Sequence, residues 1–496
     1  SSSLSIGRRV LYTSIADVPD STLETDCCVI GAGPAGISCA TELARRGKAV
    51  VLLEGGGLSP PDDTALDLYR GSVSGPRQYP LLPSRLRYFG GTSGHWGGWC
   101  RPLDPIDFAA KAHIPHSGWP IEHVTLSPWY EAAHRWLQIE NPNYYEEGAP
   151  DFIEHLLPTQ HGFTTKYFRF SPPTRFGEVY LGSVTEQSRL NCVLNASAVK
   201  FNCASDGTVT SVKSRSLDGR ELIVKATHFV VAMGGIENAR FLMSCADQDG
   251  SIPWQEVDWL GRGFMDHPGW RVGQILAKSD LRYRRFGEQP DCVMPVLAID
   301  EDVLKSERLI NCCVTLQPVP QISSIANTYA LNPWVTKQGK QNEIGGYRAS
   351  IIWEPSPCRT SRITLSDQRD GLGVRRLNLN WDFNPSDFEM LDASIAHLNR
   401  YLHLSNTGRL KLERPVNEKT IAARIGNGWH HMGTTRMSAE AATGVVDEHC
   451  RIHQSPNVFV AGSSVFPSVG FSNPTLTITA LSCRLAAHIA GSNGTT

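Results

Sequence analysis

The sequence predicts an α/β dinucleotide-binding domain of Rossmann type joined to an α+β domain built on an antiparallel sheet. Three observations predict it. An apolar run, DCCVI, leads directly into GAGPAGISCATELARRG and then AVVLLEGGG, so residues 26–54 read as strand, tight turn, helix and strand, one complete βαβ unit. Strand, glycine turn and helix recur near 228–244 in HFVVAMGGIENARFLMS, and again in NVFVAGSSVF followed by NPTLTITALSCRLAAHIAG. Roughly 271–420 has a different texture: it lacks glycine turns after its strands, and WRVGQILA, ASIIWEP, RITLS and LNLNWDF read as antiparallel strands.

The dinucleotide domain is therefore assembled from separated stretches, 20–110, 185–270 and 425–496, with 111–184 and 271–424 assigned to a substrate-binding domain and its connections. A chain of 496 residues exceeds one ordinary core, which agrees with two domains.

Composition narrows the partners. With 41% apolar residues, 19% charged residues and a formal net charge of -2, the chain has neither the basic run nor the lysine-rich face that nucleic acid or anionic lipid would require, so a small-molecule partner is expected. Thirteen cysteines at irregular spacing, with no CxxC pair, read as buried reduced thiols and not as a disulfide framework or metal site. Arg8-Arg9 could begin an export signal, but Asp17, Pro19 and Asp20 break the chain before any apolar core of such a signal forms, and no apolar stretch approaches membrane-spanning length. A cytoplasmic enzyme is the expectation.

Gly31, Gly33 and Gly36 form GxGxxG with a strand before it, a helix after it and an acid, Glu54, ending the second strand. Gly31 allows the tight turn, Gly33 lets backbone N–H groups approach a pyrophosphate beside Pro34 and Ala35, and Gly36 permits close helix–strand packing. The Glu54 carboxylate suits ribose hydroxyls and disfavours a 2′-phosphate. The fingerprint alone leaves FAD and NAD open. YFGGTSGHWGGWC, residues 88–100, adds a glycine-dense stretch suited to lie against a flat ligand.

These segments together resemble the glucose-methanol-choline (GMC) oxidoreductases: GAGPAG with Glu54, GGTSGHWGG, AMGGIENARFL, GRGFMDHP, and HHMGTTRM through SNPTLTITALS fall in that family's order. HWGG after GGTS and the Asn-Pro-Thr-Leu-Thr ending are most similar to pyranose 2-oxidase and bacterial glycoside 3-oxidases. The resemblance implies FAD and oxidation of an alcohol to a carbonyl. By position, it sets Val199 by the adenine, Gly90, Gly91, Thr92 and Ser93 by the flavin or pyrophosphate, and Gly462 with Ser463 near the ribityl chain. Asn473, Pro474 and Thr475 would open the last helix toward the flavin pyrimidine ring, where a helix N-terminus stabilises developing negative charge.

It also implies catalytic roles. His430, three residues before Gly433 and Thr434, is the expected base, with Asn473 holding the substrate oxygen; His431 is its neighbour, and an adjacent pair on a strand would face opposite ways. His95, flanked by Trp96 and Trp99, matches a histidine that bonds flavin covalently in some relatives; here the noncovalent reading is favoured. Trp99, His430 and Asn473 are the substrate candidates. Asp266-His267 before Pro268 reads as architecture near the flavin, since adjacent extended residues face apart. No metal site is expected.

The function expected from this reading is FAD-dependent oxidation of a sugar, glycoside or cyclic polyol, with oxygen or a quinone- or dye-like molecule as electron acceptor. Oxidation of a non-sugar alcohol and FAD-containing lyase chemistry are the alternatives. A flavin monooxygenase fits less well, because VAGSS stands where a late Gly-Asp-Ala segment would be.

Overall fold

The computed structural model describes residues 11–145, 153–319 and 345–491. Arg8-Arg9 lies outside the described residues. An eight-stranded sheet is centred on the strand Thr22–Ile30, which pairs in parallel with Val50–Leu53 on one side and Glu221–Val231 on the other. Val458–Val460 joins Glu221–Val231 in parallel, so chain ends more than 400 residues apart meet in one sheet. Cys27–Ile30 and Val50–Leu53 are buried at every position, the pattern of strands covered on both faces. Helices Pro34–Arg45 and Thr475–Ala490 pack against each other, and Tyr130 from a third helix, His123–Trp136, shares a 2.9 Å hydrogen bond with Thr477.

The second layer is a seven-stranded sheet that is antiparallel throughout, carrying Gly269–Ala277, Gly345–Trp353 and Phe163–Phe170. Its core is covered by the helix Pro385–Leu404, whose Leu391, Ile395, Leu398 and Leu402 recur at helical spacing and are buried. Two expectations are corrected. Trp99–Cys100, assigned by sequence to the dinucleotide stretch, is the edge strand of this second sheet, paired with Arg169 and Phe170. Arg362–Arg369 and Arg375–Asn380, expected in the second sheet, stand outside it; they form a separate three-stranded sheet with Ser72–Ser74.

All thirteen cysteines are free thiols, twelve of them buried. No helix among the described residues is long and apolar enough to cross a membrane.

Candidate active site

A cavity of about 380 Å³ opens where the two layers meet, within the size range of small-molecule sites. One end is the first βα turn. Gly31 has φ +104°, and a Cβ there would lie 2.5 Å from the Ala232 carbonyl oxygen; at Gly36 it would lie 1.8 Å from the Gly31 oxygen. Both glycines thus serve the crossing of helix and strand. Gly33 differs: a Cβ on it would meet no atom within 4 Å, because this N-cap residue faces the cavity. Pro34 and Ala35 line the same wall, so the unpaired N–H groups of the first helical turn front open space that suits a pyrophosphate.

Glu54 also lines the cavity, its oxygens accepting the N–H groups of Ala32 and Gly56 at 2.8 Å each. A carboxylate has capacity for further donors, so ribose hydroxyls can still be accepted. Beyond it stand Arg85 and Arg87, which sequence reasoning missed. Arg85 is paired with Glu237 at 2.7 Å, whereas Arg87 donates Nη2 to Ser197 at 2.6 Å and keeps a buried Nε without a partner. An extended SRLRYFGG puts residues two apart on one side, the signal that could have found them.

The candidate catalytic pair lies in the same cavity. His430 and Asn473 both line the cavity, with Asn473 Nδ2 3.2 Å from His430 Nε2. On its far side His430 Nδ1 lies 2.8 Å from His267 Nδ1. Burial, with His267 and His431 adding like-charge repulsion, holds the His430 imidazole well below its ordinary pKa, so the ring is neutral. Asp266 accepts N–H groups from Gly428, Trp429 and His430 in succession, at 3.2, 3.1 and 2.8 Å. The Tyr79 hydroxyl donates to the same carboxylate at 2.8 Å. This clamp holds Trp429 at φ +60°, a conformation that bulky residues avoid.

The remaining candidates divide. Gly91, Thr92, Ser93, His95, Trp96, Trp99, Gly462, Ser463, Pro474 and Thr475 line the cavity. Gly90 does not: its φ of +99° and a Cβ that would meet Gly177 N at 2.4 Å make it a packing glycine behind the wall. Val199 is likewise absent from the lining and packs with Leu68 and Leu372, while Ala196, Ser197 and Ala198 stand there instead. His430 and His431 are not on a strand and do not part company: both line the cavity, His431 Nε2 lying 3.2 Å from Ser84 Oγ. His267, read as architecture, touches His430 directly. Trp429, half-exposed beside His95 at 5.4 Å between ring centres, is a further aromatic wall that sequence reasoning missed. No cluster of metal-ligating residues occurs among the described residues.

Known proteins share parts of this sequence and its fold. Residues 357–482 match the GMC oxidoreductase C-terminal family model, and residues 29–57 match an NAD(P)-binding Rossmann-like domain. A 2-methyl-1,2-propanediol dehydrogenase from Mycolicibacterium austroafricanum is 22% identical, over 94% of this chain and 95% of its own. A 6'''-hydroxyparomomycin C oxidase from Streptomyces lividus is 28% identical, over 94% and 92% respectively. Among solved structures, formate oxidase from Aspergillus oryzae RIB40 superposes with a TM-score of 0.56 at 16% identity, covering 95% of this chain and 98% of that one.

Proposed function

We propose that this chain acts as a GMC oxidoreductase that oxidises a hydroxyl of a sugar, glycoside or cyclic polyol to a carbonyl, with FAD as cofactor. The observation that carries the proposal is the single cavity with Gly33 and a helix N-terminus at one end and the His430–Asn473 pair at the other. The residues present fit FAD. The open face of Gly33 and the first turn of Pro34–Arg45 suit the pyrophosphate, Glu54 suits a ribose, and the N-terminus of Thr475–Ala490 suits the electron-rich end of a flavin. FAD modification is described for the formate oxidase neighbour.

Bound there, oxidised FAD supplies the hydride acceptor. The protein supplies the base and the orientation. His430 Nε2 accepts the hydroxyl proton as the C–H hydrogen leaves with its electron pair, and the Asn473 amide holds the same oxygen without competing for the proton. The substrate class is supported by the Streptomyces lividus relative, which acts on 6'''-hydroxyparomomycin C. It is also supported by Trp96, Trp99 and Trp429 on the cavity wall, where indole faces suit the C–H faces of a sugar ring. The test is anaerobic bleaching of the purified protein's flavin absorbance by a panel of sugars, glycosides, aminocyclitols and simple alcohols. Fast bleaching by a polyhydroxylated ring is expected; fastest bleaching by short alcohols would overturn the substrate class, and no bleaching by any would overturn the reaction.

A further inference from the structure

We infer that His267 is a positioning residue that locks His430 in the tautomer whose Nε2 lone pair faces the cavity; the inference rests on His430 being the base of the proposed reaction. The direction of the hydrogen bonds is set by an atom that can only accept. His267 Nε2 lies 3.0 Å from the Gly470 carbonyl oxygen and 3.4 Å from that of Val469, so it carries the proton and donates it. The ring is buried and its pKa depressed to about 4, so it is neutral and holds one N–H. His267 Nδ1 is therefore an acceptor. Its partner at 2.8 Å, His430 Nδ1, must be the donor, and a neutral His430 that is protonated on Nδ1 has its lone pair on Nε2, where the Asn473 amide donates.

The anchor of this series is itself fixed. Glu354 Oε1 accepts the N–H groups of Val469 and Gly470 at 3.2 and 3.1 Å, and its other oxygen accepts from the Lys111 ammonium at 2.7 Å. The turn that presents the Gly470 carbonyl to His267 is thus tied to a buried ion pair. His267 does not line the cavity, so whatever it contributes passes through His430.

The tautomer can be read without turnover. In holoenzyme labelled with ¹⁵N-histidine, the His430 signals, identified by their loss in His430→Ala, should show a protonated Nδ1 and an unprotonated Nε2 at neutral pH. A protonated Nε2 would overturn the inference while leaving the reaction standing; unimpaired flavin reduction in His430→Ala would instead sink the reaction itself. Two variants separate positioning from packing. His267→Asn keeps an acceptor oxygen near the Nδ1 position and should reduce its flavin within about tenfold of the parent, whereas His267→Leu keeps the bulk, lacks the acceptor and should lose about 10²-fold in kcat, with KM little changed. Equal rates in the two variants would overturn the inference.

Discussion

Asp266 Oδ1 accepts the backbone N–H of His430 at 2.8 Å, although 164 residues separate them in the chain. The same carboxylate takes two further N–H groups from the loop and the Tyr79 hydroxyl, so the proposed base and the strained Trp429 share one anchor. Asp266→Ala should leave these buried donors without partners, at about 1–3 kcal/mol for each one that water does not reach. We expect a lowered unfolding midpoint together with at least tenfold slower flavin reduction. A variant as fast as the parent would show that the loop holds its shape without Asp266.

The glycines at the first turn should separate folding from cofactor retention. At Gly33 the backbone φ is -84° and the space ahead is open, so Gly33→Val should fold normally yet purify with less than about a tenth of the parent's flavin, because its side chain fills the pyrophosphate site. Gly31→Ala meets both a positive φ and the Ala232 carbonyl, so it should instead lower the unfolding midpoint. Full flavin content in Gly33→Val would remove the pyrophosphate assignment.

The His95 ring lines the cavity, and no hydrogen bond to it is found among the described residues. Burial and the Arg175 charge depress its pKa, so the imidazole is neutral near pH 7. Availability is not linkage, and we predict noncovalent flavin. After acid precipitation the yellow colour should stay in the supernatant; colour in the pellet that His95→Ala releases would establish the bond.

Much of this site was legible because its motifs are local. GxGxxG with Glu54 is a contiguous βαβ device, and HHMGT and SNPTLT each carry their residues within a few positions. What escaped was convergence. Asp266 and His267 are adjacent, yet the 428–430 loop meets both: the carboxylate takes its backbone N–H groups and the imidazole meets the His430 ring. Val199 and Gly90 miss the cavity by a residue or so, a scale at which the sequence motif carries no information about which side of a strand or turn faces a ligand. The move of Trp99–Cys100 into the second sheet was equally hidden, since a two-residue edge strand has no periodicity to read.

Asp387 supplies a test of pH-linked stability away from the cavity. Burial raises its carboxyl from 3.8 to about 7; one oxygen accepts the Ser356 N–H while the other has no partner. Between those two values the native state holds a proton that the unfolded chain has released, so this group's contribution to stability falls as pH rises through the window and is level above it. Asp387→Asn imitates the protonated form. It should match the parent near pH 4 and exceed it progressively, by about 1.4 kcal/mol per pH unit, until pH 7. Denaturant unfolding of both proteins at several pH values checks this, and a constant difference would mean that Asp387 is ionised in the fold.

The decisive variants are those of the two histidines and the asparagine. An alcohol does not surrender hydride readily while its oxygen stays protonated, so the reaction needs a base at hydrogen-bond distance. His430 and His431 both reach the cavity, but their surroundings differ. His431 is directed to Ser84, with Nε2 3.2 Å from Ser84 Oγ and no contact to Asn473 or His267 through its ring nitrogens among the described residues. His430 is the one whose Nε2 meets Asn473 and whose other nitrogen is backed by His267. His430→Ala should therefore slow flavin reduction by about 10²–10⁴-fold, the usual contribution of a general base. Asn473→Ala should lose less, roughly tenfold, since it removes one neutral hydrogen bond to the oxygen worth about 1 kcal/mol. His431→Ala should stay close to the parent, and all three should retain FAD, as none of these side chains is needed at the pyrophosphate. Stopped-flow reduction by a competent polyol measures each. If His431→Ala were inactive while His430→Ala kept most of its rate, the base would be His431, and the His267 contact would have no catalytic partner.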